Sequence, residues 1–249
     1  MQVLRVELEA PVCSFRYPHF LVGRQLTFEM PPPATIYGHI SSALGNFPDP
    51  RSFQFAYRFT SLGKADDLEN QHIIVPGGSR PFATAGVAYP SSTSATIQPT
   101  ARQFLFGCRM TLYLDRVDLE GAFRNPQFTV VLGRSQDLAN YLKVEKVELK
   151  DADRGYYEDT ILPAEFRRRT GRGVTVLMPR YVSPPPKREA IFERYVMLRE
   201  RIYDGPPSTV DLGTRQMLRA EEESLQTYVD PDSSEWHGAR RALAFHSCA

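Results

Sequence analysis

The sequence predicts an α+β fold: a ferredoxin-like (RRM-type) domain whose elements follow the order β-α-β-β-α-β, with a C-terminal extension. Two observations lead to this prediction. Strand-like alternation of apolar and polar residues opens the chain and returns three times, and helix-like patterns follow the first and third of these strands. The connection between strands 2 and 3, residues 61–103, is long, which predicts a β-hairpin inserted there.

The first two elements are a strand and a helix. Residues 3–9 alternate between apolar and charged side chains, which is the period of a strand with one buried face. The stretch PPPATIYGHISSALG begins with prolines, which suit a first helical turn, and ends with Gly45, which can cap a helix. Its apolar residues, among them Ile36 and Ile40, share one face.

Three more strands and a second helix follow. Residues 53–59 and 104–114 alternate most clearly and are predicted as strands 2 and 3. Residues 118–123 predict a short helix, and residues 144–150 complete the domain as strand 4. The apolar run 128–132 also predicts a short strand, for which this order of elements has no place.

The chain divides into the ferredoxin-like domain, residues 1–150, and the C-terminal extension, residues 151–249. Within the extension, residues 188–202 fit either a helix or a strand. Residues 218–229 predict a polar surface helix, and residues 239–247 predict a last strand.

Composition limits the classes of protein. The 249 residues include 30 Lys plus Arg and 29 Asp plus Glu, so nucleic-acid binding would need a local concentration of positive charge. Cys13, Cys108 and Cys248 are odd in number and far apart, which predicts a cytoplasmic protein without a disulfide framework. No motif for a metal or a cofactor is present, and no apolar run is long enough to span a membrane, so we expect neither cofactor nor membrane.

The insertion is the strongest candidate for binding nucleic acid. The stretch from Asn70 to Leu114 has no Asp or Glu, but it contains Arg80, Arg102 and Arg109. A flexible polar hairpin that lacks acids and carries aromatic residues such as Phe82 can follow a phosphate backbone and insert between bases. The alternative is an exposed loop that lacks acids without functional consequence.

Two other segments favour RNA in particular. CSFRYPHF, residues 13–20, places Arg16 beside aromatic rings that can stack on unpaired bases, although Phe15 and Phe20 can equally close the core. RRRTGRG begins a window, residues 167–201, with ten basic and three acidic residues. Glycines let backbone amides approach an anion while guanidinium groups bind phosphate, but a solvated charged surface is the alternative.

Catalysis has weaker support. A metal-independent ribonuclease needs only an acid and a base, which Tyr37, His39 and His72 could supply. His39 lies on the flank of the apolar face of helix 1, which favours a partly buried, hydrogen-bonded histidine. The acidic cluster DDLExxH, residues 66–72, favours a salt-bridged or capped turn over a metal site.

The segments SFRYPHF, PPPATIYGHISSALG and LGRSQDL, in this order, resemble the Cas-five family of CRISPR-associated proteins, which are subunits of the type I surveillance complex called Cascade. DDLENQHI and RRALAFHS are most similar to type I-B members. The resemblance covers residues 1–150 well and the remainder in patches.

The resemblance implies that the insertion is a β-hairpin thumb that grips the 5′ handle of the CRISPR guide RNA (crRNA). It also implies that the protein joins the large (Cas-eight type) subunit to the backbone (Cas-seven type) subunits, and meets target DNA through the complex in antiviral defence. The residues expected to bind RNA are Arg16, Tyr17, Arg80, Phe82, Arg102, Arg134, Ser135, Arg167, Arg168, Arg169 and Arg172.

Type I-C members of the family are similar in fold and cut the repeat RNA themselves. Their pattern joins a tyrosine from the first-helix region to an adjacent Lys-His pair. No lysine in this sequence is followed by histidine, so we expect a non-catalytic subunit that works with a separate Cas-six-like nuclease. A metal-independent endoribonuclease that cleaves CRISPR repeat RNA is the alternative.

Overall fold

A computed structural model describes residues 1–19, 23–76, 82–89, 92–167, 171–204 and 227–249. The main sheet is antiparallel and has the strand order β2-β6-β1-β7, with β3 paired to an extension of β6. Its elements are β1 (Gln2–Cys13), α1 (Pro33–Leu44), β2 (Phe55–Thr60), β3 (Gly63–Pro76), β4 (Phe82–Thr84), β5 (Val87–Tyr89), β6 (Ser92–Leu114), α2 (Glu120–Arg124) and β7 (Asn140–Glu148).

The predicted strands of the main sheet are confirmed, and alternate residues of each face the main core. In β1, Leu4, Val6 and Leu8 are buried in the main core, while the intervening side chains point to the other face of the sheet. α1 also contributes to this core and is confirmed. It starts with proline, and Gly45 adopts φ +78° while its N–H donates to Ser41 O at 2.9 Å.

The predicted second helix is confirmed as a 3-10 turn, Val117–Leu119, that continues into α2. The predicted strand at 128–132 is wrong. Only Val131 forms an isolated bridge, to Leu138, because this segment turns back on itself in a tight loop.

The insertion is a regular two-stranded ribbon, defined here as β3 with the paired part of β6. Its register runs from Gly63 opposite Phe106 to Pro76 opposite Ser92. The connection that was expected to form a hairpin thus pairs as two arms, both of which are continuous strands. Most of the prolines and glycines of the insertion fall at the end of β3 and between the arms, at 76–90.

The extension adds a three-stranded sheet and two short strand pairs. Residues 188–202 contain a strand, so the helical alternative is wrong. In β12, Tyr195 and Met197 face the main core while Val196 and Leu198 face a second cluster, and burial on both faces hides the strand period. The elements are β8 (Lys150–Ala152), β9 (Gly155–Tyr157), β10 (Thr160–Pro163), β11 (Val174–Val182), β12 (Ala190–Leu198), β13 (Ile202–Asp204) and β14 (Thr227–Val229).

The extension and the main sheet share one core. Ile161, Met178 and Tyr195 belong to the same buried cluster as Leu4 and Ile36. The predicted surface helix at 218–229 lies largely outside the described residues, and its last three residues form β14. The predicted strand at 239–247 is wrong, because this segment forms only isolated bridges.

The segment 227–249 covers part of the sheet face opposite α1. Asp230 is buried there and accepts hydrogen bonds from the Tyr113 hydroxyl at 2.6 Å and from Arg5 Nη1 at 3.3 Å. At the edge of the sheet, His246 and Phe55 exchange two backbone hydrogen bonds, of 2.7 and 3.0 Å. Within the described ranges, no helix has the length and apolar character needed to cross a membrane.

Candidate nucleic-acid interface

Three segments that are distant in sequence meet at the base of the ribbon, which we call the ribbon root. They are the segments that follow β1 (residues 14–19 and 23–28), the ends of the ribbon arms nearest the main sheet, and the loop LGRSQDL (residues 132–138). Gln25 connects the first two, because its N–H donates to Ala101 O at 2.7 Å and its carbonyl accepts from Gln103 N–H at 2.9 Å. Each of the three segments contains residues that the sequence analysis predicted to bind RNA.

Asp137 connects the loop LGRSQDL to the end of β1. Its carboxylate is fully buried and accepts hydrogen bonds from the backbone N–H groups of Ser14 and Arg134, both at 3.0 Å. The loop approaches β1 so closely that Gly133, at φ +110°, has no room for a side chain: a Cβ there would lie 2.8 Å from Ser14 O. The position of Arg134 and Ser135 is therefore fixed by this contact.

Glu69 on β3 connects the same loop to the ribbon. Its carboxylate pairs with Arg102 Nε at 2.5 Å and with Arg134 Nη1 at 2.5 Å, and it accepts a hydrogen bond from Gln136 at 3.2 Å. Burial opposes ionisation, but the hydrogen bonds and charges of the two arginines outweigh it, so the pKa of Glu69 lies below its ordinary value. Burial also disfavours the charged form of Arg134, but its hydrogen bonds with Asp137 and Glu69 and their negative charges outweigh this effect, so the pKa of Arg134 is raised.

These ion pairs decide how much of each arginine reaches solvent. The side chain of Arg102 is 10% exposed and that of Arg134 is 15% exposed, so most of both guanidinium groups is enclosed by the root. Arg16, by contrast, is exposed and has no ion pair with any residue that the structure describes. Ser135 is also exposed.

Two further basic side chains of the root were missed by the sequence reasoning as RNA-binding candidates. Arg24 makes two hydrogen bonds to Asp66, at 3.0 and 2.6 Å, and Lys64 donates to Glu29 at 2.7 Å. Glu29 also pairs with Arg199 of the extension at 3.0 Å. No local signal marks these residues, because strand register and loop packing bring them together. The acids at 66 and 69 form salt bridges, as predicted, although on a strand and not in a turn.

The aromatic residues after β1 divide between core and surface. Phe15 is buried in the main core, which was the alternative interpretation for it. Tyr17 is half-buried, and its ring stacks on Phe28 with centroids 3.7 Å apart, so one of its faces is covered. His19 is exposed, and its ring lies 5.7 Å from that of Phe192 on β12. Phe20 lies outside the described residues.

The basic window 167–201 is partly neutralised. Arg167 is exposed, and Arg172 is exposed and pairs with Glu200 at 3.1 Å, while Arg168 and Arg169 lie outside the described residues. The end of the β11–β12 hairpin is more basic. Two exposed cations there, Lys187 and Arg188, have no ion pair within the described part of the chain, and neither has the exposed Arg194, which lies in the middle of β12 opposite Leu177.

The ribbon projects side chains into solvent along its arms. Ile74 is 63% exposed and Ile97 is 62% exposed, so the ribbon does not fold into the core. Arg80 and the side chain of Phe82 lie outside the described residues, and their contribution to RNA binding stays a prediction.

The candidate nuclease residues differ in element and in exposure. Tyr37 is buried and donates to Pro48 O at 2.8 Å, and burial together with Tyr181 raises its pKa to about 12. His39 is also buried, with Nδ1 at 3.0 Å from Val131 O, and burial lowers its pKa. The hydrogen-bonded histidine that helix geometry predicted is thus confirmed. His72 is exposed on the ribbon, on a different element.

A family model described as CRISPR-associated protein (Cas_Cas5) matches residues 3–217. The chain belongs to the Cas5 family. The membership of the Cas-five family that the ordered motifs predicted is therefore confirmed. A search of the curated proteins finds no match.

Solved structures of CRISPR proteins are similar to this Cas5 chain. A chain of a CRISPR RNA-guided surveillance complex has a TM-score of 0.51 and 14% identity, with 81% of this chain and 90% of that chain covered. A CRISPR protein from Archaeoglobus fulgidus has a TM-score of 0.45 and 12% identity over 100% of both chains. A chain of the type III-B Cmr-beta bound to cognate target RNA has a TM-score of 0.47 and 10% identity over 82% and 86%. The first comparison shows a shared fold, which is α+β and mostly antiparallel.

Proposed function

We propose that the protein is a non-catalytic, RNA-binding subunit of a type I CRISPR Cascade complex, closest to type I-B, and that it grips the 5′ handle of the crRNA. In this proposal it acts in the cytoplasm in antiviral defence and bridges the Cas-seven type backbone and the Cas-eight type large subunit. The observation that carries the proposal is the ribbon root. There, motifs of the family resemblance that lie up to 123 residues apart in sequence are joined by Asp137 and Glu69.

The main sheet supports a ferredoxin-like interpretation of the fold. Its four strands have the order β2-β6-β1-β7, all antiparallel, with α1 after the first strand in sequence and α2 after β6. This corresponds to a β-α-β-β-α-β unit in which the ribbon is an insertion between the second and third strands. A thumb that grips RNA would occupy this position.

The exposure of the basic residues supports different roles for them. We assign direct RNA contact to Arg16, which is exposed, and a polar contact to Ser135, which is exposed in the loop LGRSQDL. Arg102 and Arg134 are positioning residues in this proposal, because Glu69 and Asp137 hold their guanidinium groups. With few exposed cations at the root, the isolated subunit should bind RNA weakly, and retention should depend on several surfaces acting together in the complex.

Co-purification tests the proposal. When the protein is expressed with its operon partners and recovered through a tag, we expect a discrete RNA with a fixed 5′ repeat fragment. Arg16→Glu should reduce the amount of RNA while the partner subunits stay bound. Arg116→Glu is the matched control, since Arg116 is a surface arginine that pairs with Asp118 away from the root. Recovery of the partner-bound subunit without RNA would contradict the proposal.

The absence of catalysis is a separate part of the proposal. We expect that purified protein leaves CRISPR repeat RNA intact in the presence of EDTA. His72 is the exposed member of the candidate nuclease residues, so it is the residue to vary. A specific cut by the wild type that disappears in His72→Ala would overturn this part and establish the endoribonuclease.

A further inference from the structure

Cys13 and Cys108 form a contact between two thiols in the core. Cys13 is the last residue of β1, and Cys108 lies on the neighbouring strand β6. Their Sγ atoms are 2.7 Å apart, and both residues are buried, with 0% and 1% of their surface exposed. This separation exceeds the sulfur–sulfur bond of a disulfide, about 2.05 Å, by well under one ångström.

In both strands, the alternation of core-facing and outward-facing residues shifts by one position near the cysteines. This shift explains why the two thiols meet. Up to Ala10 in β1 and from Cys108 onward in β6, alternate residues face the core. At Pro11 and Gly107, which lie opposite each other between the pairs Ala10–Cys108 and Val12–Phe106, the pattern shifts by one residue, so that Cys13 is again buried. Gly107 allows the shift because it adopts φ +59°. The two thiols flank this irregularity and point to the same side.

We propose that Cys13 and Cys108 are a redox pair, which a two-electron thiol oxidant such as hydrogen peroxide converts into an intramolecular disulfide. One thiolate attacks the peroxide to give a sulfenic acid, and the second thiol displaces water from it. In sum, two thiols and one hydrogen peroxide give one disulfide and two molecules of water. The two electrons and two protons of the thiols are transferred to the peroxide.

Burial makes this reaction slow, so that the thiols remain reduced in a reducing cytoplasm. The hydrogen bond to Cys108 and burial both raise the pKa of the Cys13 thiol, so the reactive thiolate is scarce. The disulfide would join residues 95 positions apart and tie the end of β1 to β6 directly before Ser14, which Asp137 anchors. Oxidation would therefore stabilise the ribbon root. This inference does not depend on RNA binding.

Thiol mapping on the full-length protein tests the proposal. The folded protein is treated with hydrogen peroxide, quenched with catalase, alkylated in denaturant and digested for mass spectrometry. We expect a peptide pair linked through Cys13 and Cys108, with Cys248 alkylated. Cys248 is the matched control, because it is equally buried but its sulfur lies near the carbonyl oxygen of Pro33, at 3.9 Å, and not near a thiol.

Thermal unfolding supplies a second measurement. Oxidation should raise Tm by about 10 °C, and dithiothreitol should reverse the rise. Cys13→Ser and Cys108→Ser should each abolish both the linked peptide and the rise in Tm. If these variants do not fold, the wild-type peptide map decides by itself. Three alkylated cysteines after oxidation, disulfides distributed over Cys248, or a lower Tm of the oxidised form would each overturn the proposal.

Discussion

Arg134 and Glu69 lie 65 residues apart in the chain, and their ion pair, 2.5 Å between Nη1 and Oε1, joins the loop after α2 to the ribbon. Glu69 is also the last acid before the acid-free stretch that starts at Asn70. The carboxylate at this boundary therefore holds Arg102 of the ribbon and Arg134 of the loop, and the sequence of the insertion beyond it contains no acidic residue.

Asp137→Ala should lower the free energy of unfolding by about 3 kcal/mol, because it leaves two backbone N–H groups and the Arg134 guanidinium without their buried partner. Urea denaturation measures the change. Asp118→Ala is the control, since its ion pair with Arg116 lies at the surface and should contribute less than about 1 kcal/mol. Equal losses in the two variants would show that Asp137 is not an anchor.

Gly133→Ala should destabilise the protein by at least about 2 kcal/mol, since φ +110° and the carbonyl of Ser14 both exclude a methyl group. Gly38→Ala should do the opposite. Gly38 lies on the exposed side of α1 with no atom within 4 Å of a new Cβ, so alanine should add up to about 1 kcal/mol through helix propensity. Thermal unfolding of both variants provides the comparison, and a neutral effect at Gly133 would be inconsistent with the loop geometry.

Arg16→Ala should weaken binding of a handle RNA without changing Tm. Loss of one phosphate contact reduces the slope of log K against log salt by about 0.7. Arg102→Ala should instead lower Tm, because it removes one of the two arginines that hold Glu69. Filter binding over a range of salt concentrations, with thermal unfolding of the same samples, separates the two roles. An unchanged salt slope for Arg16→Ala would remove that residue from the interface.

Acid should destabilise the protein through His246. Burial lowers the pKa of this ring from 6.5 to about 4, and its Nε2 lies 3.0 Å from Ile161 O. Because the folded state keeps the ring neutral while the unfolded state takes up a proton, the stability is complete above pH 6.5 and falls as the pH drops toward 4. The loss over this range is about 3 kcal/mol.

Urea denaturation in steps from about pH 7 to pH 4.5 measures this dependence. His246→Gln keeps an N–H donor but does not titrate, so its stability should vary less with pH than that of the wild type. The buried His39 and the ion-paired carboxylates of Glu69 and Glu158, whose pKa values are also lowered, contribute to the dependence that remains. Identical profiles for the wild type and His246→Gln would exclude His246 as the source.

Elements with one buried face were predictable from the sequence. In β1 and α1 the face toward the main core is apolar and the other face is largely polar, so the period of the apolar residues identifies both. β12 was ambiguous because its second half is buried on two sides. A hairpin was predicted at the insertion from its length and turn residues, but the extent of its strands was not, because it follows from the pairing of β3 with β6 over fourteen residues of β3.

The candidate site was predictable in its segments but not in its contacts. SFRYPHF and LGRSQDL were both selected from the sequence, and they do meet. Which arginine is free and which is held by an acid depends on register and loop packing, as the pairs of Arg102 with Glu69 and Arg24 with Asp66 demonstrate. These two ion pairs join residues that are 33 and 42 positions apart in the sequence, so no local sequence pattern predicts them.

The two backbone hydrogen bonds between His246 and Phe55 cover part of the edge strand β2 of the main sheet. Further along β2, the N–H of Phe59 donates to Asp159 O at 2.7 Å. An outer strand with free N–H and C=O groups is a template to which a foreign strand can add. Removal of the segment around His246 would uncover that template, and the truncated chain would then self-associate through β2 even where its core remained intact.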